Sequence, residues 1–124
     1  MPTDKITVYI GTYTRRESFV DGKAEGIYIC HLDMASGELT YTATVDGPGT
    51  VNPSFLVLAP DQRCLYAVNE IYGTEGAHGM VSAFAIDPVT RGLSYLNQQS
   101  THGLAPCYAR IEPEGRYCLV ANYE

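Results

Sequence analysis

The chain has 124 residues with 14 acidic against 8 basic side chains, and its net charge of −6 excludes nucleic acid or an anionic membrane as partner, since both need clustered Lys and Arg. Ten Tyr, twelve Gly and seven Pro favour short strands and many turns over long helices. No run approaches the roughly 20 apolar residues that span a bilayer, and MPTDKITVYI lacks the pattern of a secretory leader, so a cytoplasmic protein is expected.

In chain order, the first apolar run predicts a strand over residues 6–12. Arg15-Arg16, the only adjacent basic pair, reads as a solvated loop. Strands follow over 27–32 and 39–45, then over 54–59, 64–69, 80–86 and 93–99. Pro60-Asp61-Gln62-Arg63 makes a tight turn, with Pro fixing φ and Asp bonding its own backbone, and Asp87-Pro88 through Gly92 makes another. A further pair of strands begins at Pro106.

These elements repeat. Residues 53–63, PSFLVLAPDQR, align without a gap on 106–116, PCYARIEPEGR, at an offset of 53. Residues 27–33, IYICHLD, align on 81–87, VSAFAID, at an offset of 54. A four-stranded unit recurring every ~50 residues is the signature of a β-propeller blade, whereas a β-sandwich requires no such repeat. The expected fold is all-β: a propeller fragment of four-stranded antiparallel blades, about two and a half of them. Residues 1–50 form a first blade lacking its innermost strand, 51–103 a complete blade, and 104–124 the first two strands of a third. The chain is read as truncated, with the missing blades as its structural partner. Its two open ends make a marginally stable, aggregation-prone piece the expectation.

Strand alternation places the loops after each second strand and the linkers between blades on one rim, where propeller ligands usually sit. Tyr13, Thr14, Asn52, Ser54, Asn69, Glu70, Tyr72, His78, His102, Asn122, Tyr123 and Glu124 fall there. Asp61, Arg63, Asp87, Arg91, Glu114 and Arg116 fall on the opposite rim as turn and solvent-facing residues. The substrate-binding candidates are Asn52, Asn69, Glu70, His102 and Asn122. Plainer readings stand beside them: the Asn52 and Asn69 side chains cap turns, and Glu70 is either a working carboxylate or a solvated loop residue. Of the other His residues, His78 reads as solvent-exposed and His31 as structural. Cys30, Cys64, Cys107 and Cys118 form no CxxC and have no His at metal-site spacing, so they read as small buried hydrophobes with reduced thiols. No metal or cofactor is expected. No GxSxG, P-loop or GxGxxG motif is present.

Several segments together resemble a known family. They are Tyr9-Ile10-Gly11-Thr12-Tyr13-Thr14, Gly26-Ile27-Tyr28, Gly37-Glu38-Leu39, Asn52-Pro53-Ser54-Phe55-Leu56, Leu65-Tyr66-Ala67-Val68-Asn69-Glu70, Val81-Ser82-Ala83-Phe84, Gly103 with Pro106-Cys107, and Val120-Ala121-Asn122-Tyr123. In this order they resemble the lactonase family of seven-bladed propellers, which includes bacterial 6-phosphogluconolactonases and fungal carboxymuconate cyclases. The resemblance implies a metal-independent hydrolase that opens a sugar lactone, 6-phosphogluconolactone of the pentose phosphate pathway. A general base would activate water, and cationic or hydrogen-bonding groups would steady the oxyanion and the phosphate. The family's His and Arg participants come from later blades, so the catalytic residues are expected beyond residue 124 and the piece alone is expected to be inactive. The competing readings are a non-enzymatic propeller binding module and a muconate-lactonising cyclase of the same family.

Overall fold

The computed structural model describes residues 4–73 and 77–124. Residues 1–3, which head the first blade of the sequence reading, and 74–76, in the loop before His78, lie outside the described residues. The strands are β1 (Lys5–Ile10), β2 (Arg16–Glu17), β3 (Val20–Asp21), β4 (Ile27–Asp33), β5 (Leu39–Val45), β6 (Pro53–Leu58), β7 (Cys64–Asn69), β8 (Met80–Ile86), β9 (Leu93–Ser100), β10 (Pro106–Ile111) and β11 (Cys118–Asn122). They form a three-stranded sheet β1-β4-β5, a four-stranded sheet β6-β7-β8-β9, a two-stranded sheet β10-β11 and a small ribbon β2-β3. Every pairing is antiparallel. Among the described residues no helix is long and apolar enough to cross a membrane.

The strands lie within two residues of their expected positions. β1 stops at Ile10 rather than at residue 12 because the first sheet meets the second there. A Cβ on Gly11 would collide with the Pro53 carbonyl oxygen, and the Thr12 amide donates to that same oxygen at 3.0 Å. At Arg15-Arg16 both side chains are exposed as expected, but the β2-β3 ribbon replaces the expected loop. Arg16 pairs with Asp21 across the ribbon, and the amides of Gly22 and Ala24 close its base on the carbonyls of Arg15 and Tyr13 at 3.0 and 3.1 Å. Two residues per strand are too few to leave a periodic pattern in the sequence.

The core lies between the first and second sheets. Ile27, Leu65, Ala67, Phe84 and Ile86 are buried there, with Tyr9, Val45, Leu56 and Leu93 packed around them. Full burial of side chains such as Phe84, Leu65 and Ile27 contributes roughly 1.5–3 kcal/mol each. Along β8, Ser82, Phe84 and Ile86 are buried in alternation with half-buried neighbours. One face of this strand meets the core and the other is less covered. β10 packs on β6 and β7, where the Phe55 and Tyr108 rings sit 4.9 Å apart.

The cysteine expectation holds for one residue of four. Cys30 is buried and Cys64 half-buried, but Cys107 and Cys118 are exposed, because they sit on the two-stranded sheet that is covered from one side. All four are free thiols. Opposite the rim, the turns are tied as expected. Asp87 accepts from the amides of Thr90 and Val89 at 2.7 and 2.8 Å, and these bonds hold its carboxyl below the usual carboxylate range.

One irregularity recurs with the repeat. A β-bulge interrupts the β6-β7 register between Pro53 and Phe55, and another interrupts β10-β11 between Pro106 and Tyr108. Ser54 and Cys107 are the extra residues.

Candidate functional site

Asn52 ends the linker from β5 to β6 in the left-handed region, with φ of 42°. Non-glycine residues rarely take this conformation, Asn among the most readily, and a residue before proline normally prefers extended angles. Local bonding holds it there. Asn52 is fully buried, and its Oδ1 accepts the amides of Thr14 and Arg15 at 2.9 and 3.1 Å. Its Nδ2 donates to the Glu70 carbonyl at 3.1 Å and to Glu17 Oε1 at 3.2 Å. Thus one side chain joins the ribbon of the first sheet to the second sheet.

Asn69 ends β7 and is also buried. Its Nδ2 donates to the carbonyls of Gly49 and Val51, both at 2.8 Å, and its Oδ1 accepts from Ser82 Oγ at 2.6 Å. The amide atoms of Asn52 and Asn69 are therefore engaged inside the chain, with partners far along the sequence rather than in the local turns of the plainer reading. The latch repeats in weaker form one unit later. Asn122 is exposed and donates to the Thr101 carbonyl at 3.0 Å, while Ala105 takes the place of Asn52 with φ of 50°.

Glu70 follows Asn69 and keeps only 7% of its surface exposed, which corrects the solvated-loop alternative. Its Oε2 accepts from the Tyr13 hydroxyl at 2.7 Å. Burial, followed by the hydrogen bond to Glu70 and the charge of its carboxylate, pushes the Tyr13 phenol up to about 12. Tyr13 thus stays a neutral donor well past its ordinary value. Beside it lies Ser54 Oγ, shielded from solvent and close enough to the phenol that its hydroxyl counters part of that rise. Phe19, from the turn of the ribbon, packs between Tyr13 at 5.5 Å and Tyr72 at 4.8 Å. Desolvation raises the Tyr72 phenol as well, helped by the carboxylates of Glu70 and Glu124. Glu17, its side chain 8% exposed, binds Arg15 Nε at 3.0 Å.

The structure therefore brings Asn52, Asn69 and Glu70 together and adds Tyr13, Ser54, Glu17 and Phe19 to them. His102 lies apart at the next junction, exposed, with φ of 57° and its amide bonded to Ser100 Oγ at 3.0 Å. Asn122 shares that junction. The rim position of Tyr13 and Ser54 followed from strand alternation. The inclusion of Glu17 and Phe19 depends on the ribbon, which left no signal. Among the described residues no three His, Cys, Asp or Glu side chains are grouped as metal ligands would be. A shallow depression of about 500 Å³, lined by Arg15, Arg16, Glu17, Ser18 and Tyr72, opens beside the Tyr13–Glu70 pair.

A four-stranded antiparallel sheet between two sheets of the same repeat, joined by repeating linkers along one rim, defines a β-propeller. The chain belongs to the lactonase family: residues 7–124 match the family described as "Lactonase, 7-bladed beta-propeller". It is 35% identical to the 6-phosphogluconolactonase of Formosa agariphila over 107 residues, which cover 86% of this chain and 29% of that protein. It is 30% identical to the 6-phosphogluconolactonase of Bacillus subtilis over 115 residues, 93% of this chain and 30% of that one. The structure of a periplasmic gluconolactonase from Pseudomonas aeruginosa superposes with a TM-score of 0.78 at 34% identity, covering 96% of this chain and 31% of that one. The chain spans about 30% of the length of the relatives it matches.

Proposed function

We propose that the whole protein hydrolyses a sugar lactone, with 6-phosphogluconolactone of the pentose phosphate pathway as substrate. The observation that carries this reading is the match, across nearly the whole chain, to two 6-phosphogluconolactonases. Residues 1–50, 51–103 and 104–124 then supply a first blade, a second and the start of a third. Asn52, Asn69, Glu70, His102 and Asn122 lie on the substrate rim, with Asn52 and Asn69 shaping it through their internal bonds. The general base and the cations that steady oxyanion and phosphate come from the remaining blades. The four unpaired thiols support a cytoplasmic setting. A second reading, a lactonase for unphosphorylated gluconolactone, is favoured by the likeness to the Pseudomonas gluconolactonase.

Acid release from each lactone, corrected for spontaneous opening and followed with a pH indicator, tests both. Acceleration of the phosphorylated lactone at least tenfold over the plain one is the expected result. The reverse preference establishes the second reading, and no acceleration of either overturns both.

A further inference from the structure

Three sheets send polar groups to one point on the rim. Tyr13 comes from the loop after β1, Ser54 from the bulge of β6, Glu70 from the end of β7, and Cys107 lies close by in the bulge of β10. The hydrogen-bond inventory there is lopsided. The Tyr13 proton is committed to Glu70 Oε2, which leaves a lone pair on the phenolic oxygen. The second Glu70 oxygen, Oε1, takes no part in that bond, and Ser54 Oγ, buried beside the phenol, has only that oxygen to turn its proton to, which leaves its own lone pairs as acceptors. The point therefore presents mostly acceptors, one of them a carboxylate oxygen.

Charge narrows the ligand further. Arg15 is paired with Glu17 at 3.0 Å, and the carboxylates of Glu70 and Glu124 both act on Tyr72. A phosphate or carboxylate brought to Glu70 would meet like charge, and the cations of the neighbouring depression are turned to carboxylates of their own, Arg15 to Glu17 and Arg16 to Asp21. A hydroxyl group, by contrast, donates to a carboxylate in a charge-assisted bond. Phe19 and Tyr72 supply apolar ring surface next to these acceptors, suited to the C–H face of a sugar.

Resting on the sugar-lactone reading above, we propose that Tyr13, Ser54 and Glu70 form a subsite for ring hydroxyl groups of the substrate, and that the phosphate is held on a different sector of the ring.

The test uses the full-length protein with 6-phosphogluconolactone and its 2-, 3- and 4-deoxy analogues. Glu70→Gln keeps the shape and removes the charge, and circular dichroism checks that the fold is retained. The expected result is a fall in kcat/KM of about 10–100-fold on the parent lactone. That fall shrinks to less than about threefold on the analogue lacking the recognised hydroxyl. Removing the phosphate leaves the penalty of the substitution unchanged. An equal penalty on every deoxy analogue overturns the subsite, as does a Glu70→Gln gain confined to the phosphorylated substrate. If the wild-type protein accelerates no lactone, the functional reading fails by itself. Glucitol, titrated against wild type and Glu70→Gln by NMR, then decides the subsite: shifts at Tyr13 that vanish in the variant support it, and their absence in the wild type overturns it.

Discussion

The junctions at Asn52-Pro53 and Ala105-Pro106 share a backbone and differ in a side chain. In both, the residue before proline sits in the left-handed region and its carbonyl accepts an amide from just beyond the second strand of its own sheet. The donors are Glu70 N at 3.1 Å and Tyr123 N at 3.0 Å. In both, the residue's own amide is satisfied by the preceding unit, from Thr14 Oγ1 in one case and the Ile71 carbonyl in the other. A bulge follows each. The difference is that Asn52 adds four side-chain bonds and Ala105 adds none. The main chain therefore suffices to turn one sheet into the next. The side chain is free for another task, and at Asn52 that task is to tie down the ribbon that carries Glu17 and Phe19.

The largest effect should come from erasing that difference. Asn52→Ala strips partners from two part-buried amides, empties a fully buried site and keeps the left-handed strain, so about 2–4 kcal/mol of stability should be lost in urea denaturation. A loss below ~1 kcal/mol would mean that the side-chain bonds are incidental to the junction. Next, Asn69→Ala and Asn122→Ala test the latch at its buried and exposed copies. About 2–3 kcal/mol is expected at the first and under ~1 kcal/mol at the second. Equal losses would show that burial does not set the latch's worth.

A smaller gain should follow Ala105→Gly. Left-handed alanine costs about 1–2 kcal/mol, and the extra chain entropy of glycine returns about 0.5–1 kcal/mol of that. Melting should rise by the equivalent of roughly 0.5–1 kcal/mol. Asn52→Gly should not stabilise, since it removes bonds as well as strain. The smallest effect concerns Tyr13. Its phenol is raised from 10 to about 12 in the fold, so the stability it contributes is fully present below pH 10 and is lost as pH climbs through about 12. Tyr13→Phe should flatten that part of a melting-temperature profile against pH, and an unchanged profile would sink the assignment.

The repeat made most of the fold legible. Its offset of 53 residues located the strands, the turns and the two proline junctions, because each sheet requires apolar runs between turn-forming residues. Burial was less legible. Glu70 and Asn69 are polar residues at a strand end, where composition predicts solvent. They are buried by partners 13 to 57 positions away, and no local pattern encodes such distances. The ribbon was invisible for the opposite reason, being too short to have a period. His102 and Asn122 share an exposed junction, and nothing in the sequence separated it from the buried one that gathers Asn52 and Glu70.

The bulges at Ser54 and Cys107 carry a consequence for how such a rim changes over time. A residue inserted between two rungs belongs to neither face of the sheet, so replacing its side chain disturbs no ladder and shifts no register. One slot holds a hydroxyl and the other a thiol on nearly the same backbone. Each unit thus offers an interchangeable fitting at its inner lip, and the chemistry of the ring can be altered one slot at a time while the frame stays as it is.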